Sequence, residues 1–143
     1  MMVNSELLSA AVALLNENAI EPPSDYEDRA PFLLGAFYAE CEWLDRKYRA
    51  AHGLETDYLV DTLEWSLGDT FLFVPALTAA AIYYLASMLV MDENEKLGEQ
   101  LFARYADAVS TVEAEIPFVK EKIRNPHKRI TYAIGLYVIP VSL

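Results

Sequence analysis

Residues Thr70 to Met91 read TFLFVPALTAAAIYYLASMLVM. Between Phe71 and Met91 there is no charged residue, so this is the longest apolar run in the chain and any fold must cover it. Roughly 20 apolar residues can cross a bilayer as a helix, but the flanks oppose that reading. Asp69 precedes the run, and Asp92, Glu93 and Glu95 follow it with only Lys96 nearby, so no basic cluster sets an orientation. Pro75 fits the first turn of a helix and not its interior, which puts the start near Val74 and leaves about 17 residues to Met91, the short limit for a span. Ala76, Ala79, Ala80, Ala81, Ala86 and Ser87 let neighbouring helices come close, while Leu77, Tyr84, Leu85, Met88 and Leu89 supply bulk. The expectation is the central helix, 75–91, of a mainly α bundle of four to five helices.

The composition suits one domain with one core: 143 residues, 54% hydrophobic and 23% charged. Met1 to Ala10 lacks the basic start and apolar stretch of a secretory signal, and the single Cys41 excludes an internal disulfide framework. Cys41 reads as a small core residue. Charge is unevenly placed: residues 1–119 carry 6 basic and 21 acidic side chains, a net of −15, and residues 120–143 carry 5 basic and 1 acidic, a net of +4. An acidic body disfavours tight nucleic-acid binding, which draws on phosphate neutralisation. The basic segment holds Lys120, Lys122, Arg124, Lys128 and Arg129, candidates for contact with an acidic partner.

Working outward from the central run, a first helix is expected from Ser5 to Asn16, with Asn4 or Ser5 as N-cap and Leu7, Leu8, Ala11, Leu14 and Leu15 on one stripe. Pro22 and Pro23 break the chain after it. A longer helix begins near Asp28, holds Pro31 in its first turn, buries Leu33, Phe37, Cys41, Leu44 and Tyr48, and stops at Gly53. Its outward face is expected to carry Glu40, Glu42, Asp45, Arg46, Lys47 and Arg49 as surface charge. The stretch from His52 to Asp69 reads as a loop, with Trp65 favoured as a core plug. After the central run, the acids Asp92 to Glu95 open a helix with Leu97, Leu101, Tyr105, Ala108 and Val112 on its inner stripe, ending near Glu115. Pro117 then suits a short helix from Phe118 to Arg124.

The tail changes period. Ile130, Tyr132, Ile134, Leu136 and Val138 alternate with Thr131, Ala133, Gly135 and Tyr137, the pattern of a strand. Residues 1–129 thus form a helical domain and 130–143 an extended C-terminal arm with β character. A lone strand needs a partner, either inside the tail or on another chain, and pairing between subunits through Ile130, Tyr132, Ile134 and Leu136 is the expectation.

No catalytic constellation is legible. His52 and His127 are isolated, there is no Gly-rich phosphate loop, and Glu40 with Glu95 or Glu99 lacks the Glu-x-x-His companion of a di-iron bundle. The expectation is a non-enzyme with no catalytic, cofactor or metal residues.

The order of elements nevertheless resembles a known family. A Pro-opened, Ala-rich helix FVPALTAAAIYYLA followed by DENEKLGEQLFARYADAV, with an aromatic element at Phe102 and Tyr105, is similar to the head-tail connector (adaptor or neck) proteins of tailed bacteriophages and prophages, over residues 4 to 116. The family's aromatic spacing is F-x-x-x-Y, one residue longer than here. The resemblance implies a structural subunit that forms a ring with copies of itself between portal and tail proteins. It implies DNA that passes through without specific binding, no membrane, no cofactor, and residence in the bacterial cytoplasm and then the virion. Two other readings stand beside it. One is a small membrane-associated protein using residues 71–91; the other is a helical ligand-binding or regulatory bundle with a pocket lined by Tyr83, Tyr84 and Trp65.

Overall fold

The computed structural model describes residues 2–15, 25–56 and 65–117 with their side chains, and the backbone of 121–124, 130–134 and 137–141. The helical part consists of α1 (Asn4–Leu15), α2 (Asp25–Ala51), a 3-10 turn (Pro75–Leu77) running directly into α3 (Thr78–Val90), and α4 (Glu95–Glu115). Among the described residues no helix is long and apolar enough to cross a membrane.

The central helix is short because its first turn winds as a 3-10 helix. Pro75, at the first position after the Val74 N-cap, lacks an N–H that would have no partner there in any case. The helix that follows is buried on most of its circumference, with Ala80, Ala81, Leu85, Ala86, Ser87 and Leu89 at 1% exposure or less. It packs against α1, α2 and α4. Ala80, Ala81 and Ala86 are buried where bulk would hold the helices apart, whereas Ala79, expected in the same role, is exposed. At the turn into α4, Ser87 Oγ donates to the Gly98 carbonyl at 2.8 Å, and a Cβ on Gly98 would stand 3.1 Å from Met91 Cα. Asn94 caps α4 by accepting from the Leu97 N–H at 3.1 Å.

The chain start is held differently from the expected side-chain cap. The Asn4 and Ser5 N–H groups donate to the carbonyls of Asp69 and Leu67, so the loop before the central helix supplies acceptors that a capping residue would otherwise provide. Asn4 is freed for the interior: it accepts from Tyr38 Oη at 3.2 Å and donates to the Ser66 carbonyl at 3.0 Å.

Helix α2 starts three residues earlier than Asp28, at Asp25, with Pro31 inside it. Its end follows the sequence. Gly53 adopts φ 67°, Leu54 N–H donates to the Arg49 carbonyl and Gly53 N–H to that of Ala50, the double bond pattern of a Schellman stop. Phe37 and Tyr38 sit at the heart of the core, ringed by Phe71, Phe73, Tyr84 and Tyr105 with centroids 4.8 to 6.3 Å apart. Trp65 packs on Tyr38 at 4.6 Å, and its ring edge lies 3.1 Å from where a Gly35 Cβ would stand, so a side chain there would push the indole back by a few tenths of an ångström.

One of the charges assigned to the outer face of α2 belongs to the core. Asp45 is fully buried: it accepts from Arg49 Nε at 2.8 Å and from the Val74 N–H at 2.8 Å. Arg49, one helical turn on, donates in addition to the carbonyls of Leu72 and Glu55. The i,i+4 spacing that looks like a surface pair is here a clamp between α2 and the strand-like approach to the central helix.

The tail also departs from expectation. Glu121–Arg124 is a strand, not the end of a helix, and with Ile130–Ile134 and Tyr137–Val141 it forms an antiparallel sheet in sequence order. Seven residues after Pro117 are too few to hold a helix without packing, whereas a strand there gains a full ladder with its neighbour. We label these strands β1, β2 and β3. Within the tail, Ile130 and Tyr132 of β2 are paired with both β1 and β3, and Ile134 with β3.

Two stability predictions follow from these contacts. Asp45→Ala leaves the Val74 N–H and the Arg49 guanidinium without their shared acceptor, and removing one partner of a buried pair costs about 3–5 kcal/mol; urea unfolding should show a loss of that order. Gly98→Ala gains about 1 kcal/mol of helix propensity but overpacks against Met91 backbone at about 1–3 kcal/mol, so its midpoint should fall modestly where an exposed helical glycine would give a rise.

Candidate functional site

Cys41 and Tyr105 are buried against each other. Cys41 Sγ lies 3.3 Å from Tyr105 Oη, between α2 and α4. Burial pushes the Cys41 thiol up from its ordinary value, and burial together with the Cys41 contact pushes Tyr105 up as well. A nucleophilic cysteine needs the opposite shift, so this pair is a packing contact. His52 lies at the exposed end of α2, stacked on Tyr48 at 4.1 Å, with Nδ1 2.8 Å from the Tyr48 carbonyl.

Glu40, Glu95 and Glu99 are all exposed. Among the described residues no group of His, Cys, Asp or Glu is placed to hold a metal ion. Of the three residues named for a ligand pocket, Tyr84 is buried against Phe37 and Tyr105, Trp65 lies against Tyr38, and Tyr83 is half-buried. Rings occupy the space between α2, α3 and α4.

The partner-contact residues are spread along the tail. Lys122 and Arg124 lie on β1, opposite Tyr132 and Ile130 of β2, and Ile134 of β2 lies opposite Tyr137 of β3. Lys120, Lys128, Arg129 and Leu136 lie outside the described residues, as does His127. The sheet therefore brings two of the five basic positions onto one strand beside the apolar one.

A second surface escaped the sequence reading. On α2, Phe32 is 74% and Trp43 50% exposed, and Ala36 and Ala39 between them are exposed as well. At 100° per residue these four fall within about 60° of one another, on the side of the helix away from Phe37, Cys41 and Leu44. The signal was present as an i, i+4, i+7, i+11 pattern. It was masked by the stronger core stripe on the other face of the same helix. Phe102 of α4 adds a 39% exposed ring elsewhere.

Scans of protein-family models, curated proteins and solved structures gave no match to this chain.

The buried phenols and thiol set the alkaline limit of the fold. Burial pushes Tyr38 up to about 12 from 10.0, and burial raises Tyr84 too. In the unfolded chain these groups release protons first, so the unfolded state binds fewer protons and stability falls as pH rises. Their contribution is complete below 9.0, the ordinary thiol value, and is lost as pH climbs towards about 12, where Tyr38 itself ionises. Urea midpoints measured across that window should drop steadily, and Tyr84→Phe, which removes one releasing group, should make the drop shallower.

Proposed function

We propose that this chain is a non-enzymatic structural subunit of a phage or prophage head-tail connector, joining copies of itself into a ring between portal and tail. The observation that carries the reading is the order of helical elements. A short helix, a long helix, a Pro-opened Ala-rich helix, an acidic turn and an amphipathic helix follow one another as α1, α2, the 3-10 turn with α3, Met91 to Asn94, and α4. That succession over residues 4 to 116 is the pattern on which the resemblance rests.

The physical chemistry is compatible with it. A body with 21 acidic and 6 basic side chains over residues 1–119 would let DNA pass without holding it, since like charge prevents tight phosphate contacts. The buried, protonated Cys41 and Tyr105 and the structural use of Asp45 leave these groups to stability rather than chemistry. The basic segment around Lys122 and Arg124 would meet an acidic neighbour in the assembly. The protein would then reside in the host cytoplasm before it enters the virion.

Particles purified from an induced culture of the source strain should contain peptides of this chain at a fixed ratio to the portal protein by mass spectrometry. Complete particles without it would overturn the reading. Recovery of the protein only in a detergent-extracted membrane fraction would favour the membrane-associated alternative instead.

A further inference from the structure

We propose that α2 is a self-association face: it packs antiparallel against α2 of a second copy of this chain, across Phe32, Ala36, Ala39 and Trp43. Three observations choose this occupant. The first is spacing. The four exposed residues are separated by 4, 3 and 4 positions, large, small, small, large, so the pattern reads the same from either end of the helix. A two-fold contact requires that property, because each residue meets its symmetry mate's counterpart. With the axis between residues 37 and 38, Phe32 meets the partner's Trp43, and Ala36 meets the partner's Ala39. The alanines let the helix axes approach to about 8 Å, and the aromatic pairs close both ends of a contact about 16 Å long.

The second observation is charge. The first turn of α2 carries Asp25, Glu27 and Asp28, and its last two turns carry Lys47, which this axis sets opposite the partner's Asp28; Arg46 and Arg49 are engaged within the chain by Glu42 and Asp45. Antiparallel packing sets the acidic end of one helix beside the basic end of the other, and opposes the helix dipoles favourably. Parallel packing would bring like ends together. Arg29, the cation of the first turns, pairs with Asp25 at 3.6 Å and donates to the carbonyls of Met88 and Leu89, which leaves Glu27 and Asp28 as the acids of this end.

The third is exposure. Phe32 at 74% and Trp43 at 50% are the most exposed large apolar side chains of the described residues, and both lie on this one stripe. Four rings and four alanines bury less area than a standard interface, so the pair is weak and dissociates in about the micromolar range or above. A two-fold contact joins copies in pairs and is distinct from the head-to-tail contact that closes a ring. The inference does not rest on the connector reading, and its test uses the purified chain alone.

Sedimentation equilibrium of the full chain from about 1 to about 100 μM should show a monomer–dimer equilibrium. Phe32→Ser with Trp43→Ser should raise the dissociation constant at least about tenfold while the helical circular dichroism stays as it was. Orientation is read separately by oxidation. Ala39→Cys, near the axis, should yield a disulfide-linked dimer, while Ala50→Cys, on the same exposed face but far from the axis in an antiparallel pair, should not. The native Cys41 is buried and common to both variants. A chain that stays monomeric throughout, a self-association that the double serine variant leaves intact, or linkage through Ala50→Cys and not Ala39→Cys would each overturn the proposal.

Discussion

The carboxylate of Asp45 is the point on which the architecture turns. A fully buried charge is tolerable only when it is paired and hydrogen-bonded, and Asp45 meets both conditions through Arg49 and the Val74 N–H. Val74 is the residue before the proline that starts the 3-10 turn, so the same carboxylate fixes where the central helix begins. Arg49 reaches past it to the Leu72 and Glu55 carbonyls and ties both sides of the 53–74 connection to α2. Tyr38 does the same about two turns before Asp45, accepting from the Leu72 N–H and donating to Asn4. The approach to α3 thus has its backbone groups answered by side chains of α2.

Much of this architecture was legible because apolar spacing is a strong signal. The inner stripe of α4, that of α1 apart from Leu14, which is 41% exposed, the proline at the head of the central helix and the glycine behind α2 lie where the sequence puts them. The departures share a cause: local pattern does not reveal a distant partner. Asp45 and Arg49 have the spacing of a surface pair, and only the backbone of residues 72–74 makes them a buried clamp. Asn4 looks like a cap, but the carbonyls of Leu67 and Asp69 take over that duty. Residues 121–124 read as a helix end until a strand at 130–134 offers them a ladder.

The candidate contact surfaces divide along the same line. The basic positions of the tail are visible as composition, yet their spatial grouping depends on strand register. The exposed stripe of α2 is a matter of helix geometry alone, but one helix with two apolar faces presents two overlapping periods. The face with Phe37, Cys41 and Leu44 dominates because it is richer, and the sparser one with Phe32 and Trp43 disappears beneath it.

The lone thiol carries a different kind of information. Cys41 is 2% exposed and touches Tyr105, so a reagent can reach it only when α2 and α4 part. The chain therefore holds a built-in clock at the seam of its bundle: the rate of alkylation under native conditions reports how often that seam opens, and its dependence on denaturant tells whether the opening is local or global. No label need be introduced, because no second cysteine competes for the reagent.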